Sequence, residues 1–141
     1  MEDDYGALSV ILSQLRTPER RGAALALEGL GLSRSNHREE VRLAVLDCLR
    51  ENAPDGEAAI LLRILDHTGV VTEEAWKLVE QRCRHGDELV RVEAAKLLWL
   101  GGNPGRMEIA LRALLEARVS HGLVVRRAAD EAIETLASKW P

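Results

Sequence analysis

Along the chain, apolar residues recur three and four positions apart with polar residues between them, the spacing of one buried helical face. Short clusters of turn-forming residues break this pattern at Arg16-Thr17-Pro18, Gly31 to Asn36, Asn52-Ala53-Pro54 and His67 to Val71. Further breaks fall at His85-Gly86, Gly101 to Gly105 and Ser120-His121-Gly122. Between them the periodicity predicts about eight helices, at roughly 3–15, 18–31, 37–51, 55–66, 73–84, 88–100, 105–118 and 123–139. Thr17 before Pro18 predicts an N-cap followed by proline in the first turn. Thr72 with Glu73 and Glu74, and Asp87 with Glu88, place caps and acids where helix N-termini favour them.

The helices repeat. An offset of 35 residues aligns Ala24, Ala59, Ala94 and Ala129, then Leu27, Leu62, Leu97 and Ala132, then Leu30, Leu65, Leu100 and Thr135. Arg21, Gly56, Arg91 and Arg126 share a further column. The intervening helices follow the same rule: Val41, Trp76 and Leu111 align, as do Ala44, Val79 and Leu114, and Cys48 with Cys83. A small residue in the alanine column lets helices approach closely, and the leucine columns fill the layer between pairs. One helix pair cannot bury its apolar faces alone, so neighbours must complete the core. The expected fold is therefore all-α, an α-α superhelix or solenoid of about four helix-pair repeats. It forms one domain over 1–141, with repeats near 1–35, 36–70, 71–105 and 106–141. Thr135, where other repeats carry leucine, suits a terminal unit with a polar outer side.

Composition supports this architecture. Hydrophobic residues make up 46% of the 141, but aromatics only 3%, with no Phe, so Leu, Ala, Val and Ile must build the core. The net charge of −4 supplies no global positive field for nucleic acid. The acidic opening lacks the basic start of a secretory signal, and no apolar run reaches membrane-span length. Cys48 and Cys83 are expected as buried, reduced thiols of a cytoplasmic protein.

The segments Val90-Arg91-Val92-Glu93-Ala94-Ala95-Lys96-Leu97-Leu98 and Val125-Arg126-Arg127-Ala128-Ala129-Asp130-Glu131-Ala132-Ile133 resemble the second helix of HEAT-like repeats. That family form is a Val-Arg pair, then alanines, then an apolar residue, often after a loop aspartate, as Asp87 stands here. Arg20-Arg21-Gly22-Ala23-Ala24 is a weaker version, and Asp55-Gly56-Glu57-Ala58-Ala59 lacks the arginine. HEAT-like proteins include scaffolds, carrier-binding modules, bilin-chromophore lyases and alkyl-base DNA glycosylases. The resemblance implies that second helices line a concave face.

On that face the columns opposite the core stripe give Gly22, Ala26 and Gly29 in the first repeat and Glu57, Leu61 and Ile64 in the second. The third offers Val92, Lys96 and Trp99, and the fourth Arg127, Glu131 and Glu134. Leu61, Ile64, Val92 and Trp99, bordered by Lys96, would make an apolar partner-binding patch. A shift of one column around the helix would bury them instead. Arg91 and Arg126, with Arg21, either grip an acidic ligand or tie the loops of neighbouring repeats. Trp76 is expected in the core.

No phosphate-cradling loop, nucleophile elbow or zinc helix appears, and Cys83 with His85 lacks a second ligand pair. The chain is accordingly expected to be non-catalytic, without cofactor or metal, a scaffold module that binds another protein or peptide as a monomer or homodimer. The competing expectation is nucleic-acid binding or base repair, if Arg16, Arg20, Arg21, Arg34, Arg38 and Arg42 converge on one surface.

Overall fold

The structure, a computed structural model, describes residues 2–29, 37–51, 53–101 and 103–139, with side chains from Leu8 to Ser138. Leu30, the Gly31 to Asn36 turn with Arg34, Asn52 and Gly102 lie outside the described residues. The described elements are α-helices, with no strand among the described residues: α1 (Glu2–Gln14), α2 (Arg20–Gly29), α3 (Arg38–Arg50), α4 (Asp55–Thr68), α5 (Glu73–His85), α6 (Glu88–Leu100), α7 (Pro104–Arg118) and α8 (Leu123–Lys139). The fold is all-α, as the periodicity predicts. None of these helices is long and apolar enough to cross a membrane.

Local capping chemistry sets where helices begin. The Thr72 hydroxyl accepts from the Ala75 N–H at 3.1 Å, and Asp87 accepts from the Val90 N–H at 2.9 Å. Each satisfies one of the N–H groups that a first turn leaves without a partner. Asn103 does the same for Arg106 N–H at 3.1 Å, with Pro104 in the first helical position, so α7 starts one residue before the expected 105. α2 starts two residues later than expected. Thr17 donates to the Gln14 carbonyl at 2.7 Å and accepts from Glu19 N–H at 3.2 Å, which holds Pro18 and Glu19 in a turn instead of a first helical turn.

The helices form two compact units, Met1–Val70 and Val71–Pro141, divided where the second and third expected repeats meet. In the first, α1 packs on α2, α3 on α4, and α2 against α4. In the second, α5 packs on α6, α7 on α8, and α6 against α8, with α7 also resting on α5 and α6. In the first unit two helix hairpins thus join through their second helices, whereas in the second unit α6 packs on both helices of the α7–α8 hairpin, most extensively on α7.

The alanine column is buried within this packing. Ala24, Ala59, Ala94 and Ala129 are all buried, one on each second helix, as are Leu27, Leu62, Leu97 and Ala132. Small side chains let the paired helices close in, and the leucines fill the space beside them. In the first unit a forked ion pair reinforces the contact, Arg63 donating to both carboxylate oxygens of Glu28 at 2.8 and 3.2 Å across α4 and α2. The pattern loosens elsewhere. Leu65 is buried, but Leu100 and Thr135 are exposed; Val41 is buried, but Leu111 is exposed.

Trp76 is half-buried, short of the core position expected for it. Its indole lies against the end of α6, where Gly101 leaves room: a Cβ there would sit 2.5 Å from the ring. Gly86 between α5 and α6 is equally constrained. A Cβ would meet Val90 at 2.5 Å and the Arg82 carbonyl at 2.7 Å.

Candidate functional site

The second unit holds a half-open groove of about 820 Å³ among α5, α6 and α7. Its apolar floor is Cys83, Ile109 and Ala113, and its walls carry arginines from all three helices. The helical period produces this division. On α7, Ala110, Ala113, Leu114 and Ala117 turn inward as one stripe, which swings Arg112 and Glu116 toward the rim.

The arginine at the junction of α5 and α7 is the most engaged. Arg106 donates to Glu80 at 3.0 Å, pairs with Glu73, and places its guanidinium 5.4 Å from the centre of the Trp76 ring. Arg91 donates to the Gly86 carbonyl at 2.8 Å and lies 3.9 Å from Glu116. Arg112 stands 3.7 Å from Glu108, with both side chains largely exposed, a pair that costs little to exchange for another partner. Arg84 lines the same groove from α5. A smaller recess of about 170 Å³ continues past Arg91 and Glu116 toward Ser120, which pairs with Glu88.

At the floor, burial pushes the Cys83 thiol up to about 11, against the opposing pull of the Arg91 charge. Burial likewise raises Cys48, opposed by Arg20, and its sulfur contacts the Leu15 carbonyl at 3.5 Å. Both cysteines are buried and unbridged, as expected. A thiol in the Cys83 environment stays protonated near neutrality, so the groove carries no ready thiolate nucleophile.

No family model, curated protein or solved structure matches this chain. What the site can do must come from its own residues.

The expected apolar patch requires correction. Leu61, Ile64 and Val92 are fully buried. These three positions therefore belong to the core, because the buried arc of α4 and α6 is wider than the stripe assumed for it, whereas Gly22 and Gly29 on α2 and Arg127, Glu131 and Glu134 on α8 are exposed. On α4, Ala58 to Leu62 are all buried, and on α6, Val92 to Ala95 are. Trp99 is half-buried, its indole N–H enclosed without a hydrogen-bond partner. Lys96 is half-exposed and pairs with the buried Glu93 at 3.2 Å.

The arginine column divides. Arg91 ties a loop carbonyl and lines the groove, while Arg21 and Arg126 are exposed. In the first unit Arg20 performs the Arg91 task, donating to the Leu15 carbonyl at 2.8 Å, five residues back in each case. The offset of 35 slips by one residue here, which sequence alignment by column could not reveal.

Of the arginines considered for nucleic acid, Arg16 is paired with Asp47 at 3.1 Å, and Arg42 reaches the Thr68 carbonyl at 3.3 Å and also pairs with Glu39. Arg38 and Arg21 are exposed; Arg34 lies outside the described residues. No cluster of three or more His, Cys, Asp or Glu side chains suited to a metal occurs among the described residues.

Sequence reasoning passed over Arg106, Arg112 and the groove itself. The Asn103-Pro104 pair was the available signal, since it fixes the phase of α7 and therefore which of its arginines face α5.

Proposed function

We propose that this chain is a non-catalytic, HEAT-like helical-repeat module of about four helix pairs that binds a protein partner in the groove among α5, α6 and α7. The observation carrying this reading is the groove's make-up: Cys83, Ile109 and Ala113 beneath walls of arginine and glutamate, in which the exposed Arg112–Glu108 pair is exchangeable. Such a lining suits a partner segment that sets small apolar side chains on Ile109 and Ala113 and carboxylates against Arg84 and Arg112. Arg106 and Arg91, fixed by Glu80, Glu73 and the Gly86 carbonyl, keep the walls in place while those outer arginines bind. The protonated Cys83 favours binding over thiolate chemistry. Buried, unbridged cysteines are in keeping with a reducing, cytoplasmic setting.

The test compares affinity capture from native extract by the wild type and by an Arg84→Glu, Arg112→Glu variant. Both changes are at exposed positions, so circular dichroism and thermal unfolding are expected to match the wild type. A partner retained by the wild type and lost by the variant supports the groove. Identical capture profiles would remove it.

A further inference from the structure

One face of α7 is apolar at its middle, charged at its ends and open to solvent. Leu111 and Leu115 are 41% and 49% exposed, and Glu108 and Arg118 flank them in the same stripe, also exposed. The spacing 108, 111, 115, 118 is the three-four-three rhythm by which one helix presents a seam to another. The buried stripe of α7, Ala110, Ala113, Leu114 and Ala117, lies on the opposite side.

The repeat shows what this face does elsewhere in the unit. Trp76 and Glu80 on α5 stand 35 residues before Leu111 and Leu115, and both are covered by Arg106 of α7. The equivalent face of α5 is therefore a helix-packing interface. On α7 it has become more apolar, and Leu111 and Leu115 stay exposed there.

We propose that a second copy of this chain covers it, with the two α7 helices antiparallel about a two-fold axis that passes between them midway between Leu111 and Leu115. Leu111 of each copy then meets Leu115 of the other, and Glu108 of each meets Arg118 of the other. The charge pattern selects this occupant. Glu108 at one end and Arg118 at the other make the seam complementary to itself only when reversed. A parallel pairing sets like charges together at both ends. Arg118 is held by Asp130 at 3.1 Å, which positions its guanidinium while leaving other N–H groups to donate. Val119, 80% exposed, extends the apolar margin beyond the seam. The isologous arrangement closes at two copies. The seam shares Glu108 with the groove rim, whereas Leu111, Leu115 and Arg118 lie outside that lining, so the leucine and Arg118 variants separate this inference from the groove reading.

The test is sedimentation of the full chain from about micromolar to about millimolar concentration, the range in which so small an interface associates. The wild type is expected to shift from monomer to dimer. Leu111→Glu with Leu115→Glu is expected to remain monomeric throughout, with an unchanged circular dichroism spectrum. Glu108→Arg alone and Arg118→Glu alone are each expected to weaken association by about tenfold, and the two together to restore it. The charge swaps keep the test decisive should the leucine variant fail to fold, because both lie on exposed side chains. A wild type that stays monomeric overturns the proposal. Single swaps without effect, or a double swap that does not restore association, overturn the antiparallel seam.

Discussion

Cys83 shows how much a single side chain's chemistry depends on where it is placed. Its column partner Cys48 and the absence of a second metal-ligand pair pointed to a buried thiol, and burial follows from its position on the inner face of α5 with Ala75 and Val79. What the column could not supply was the neighbouring Arg91 charge or the groove above. The thiol's pKa is raised by burial from 9.0 to about 11, so the folded state holds this proton more tightly than the unfolded chain does. The stability it confers is complete below about pH 9 and is lost as pH rises through 11, roughly 3 kcal/mol in all. Urea unfolding followed between those values should therefore show a steeper loss for the wild type than for Cys83→Ala. Equal slopes would mean the thiol titrates normally in the fold.

At the level of the element, equal places in the repeat do not carry equal energies. Leu65 and Leu100 occupy one column, yet Leu65 is fully buried on α4 and Leu100 is exposed at the last residue of α6. Leu65→Ala should cost roughly 2–5 kcal/mol, whereas Leu100→Ala should stay within about 1 kcal/mol. Denaturant midpoints of the two variants measure the contrast; similar losses would show that the column is uniform after all. The helices themselves were legible because their apolar period and caps are local properties. Thr72 and Asp87 cap where expected because an N-cap needs only a side-chain oxygen and an N–H three residues on. Pro18 was misplaced because Thr17 had two local uses for its hydroxyl, and the turn took both. The face assignment failed for a different reason. Leu61, Ile64 and Val92 lie on helices buried over most of their circumference, and periodicity alone cannot tell how many sides of a helix are covered.

For the whole molecule, the balance of charge outweighs its local clusters. Of the arginines between Arg16 and Arg42, Arg16, Arg20 and Arg42 are engaged by Asp47, Glu39 and the carbonyls of Leu15 and Thr68, while Arg21 and Arg38 are exposed. With a net charge of −4 over the chain, duplex DNA at low salt should produce no saturable change in fluorescence anisotropy. Binding that weakens steeply as salt rises would reverse that expectation. The amino-acid order by itself determined the helical class, the helix count to within the described residues, the 35-residue recurrence, and the buried columns of Ala24 and of Leu27. All of these follow from spacing along one chain segment. Only the tertiary structure decided that Arg106 bridges α5 and α7 over Trp76, that Leu61, Ile64 and Val92 are core, and that Leu111 and Leu115 stand open. Each of those depends on which neighbour covers a helix face, a fact set by packing between segments and absent from the periodicity of any one of them.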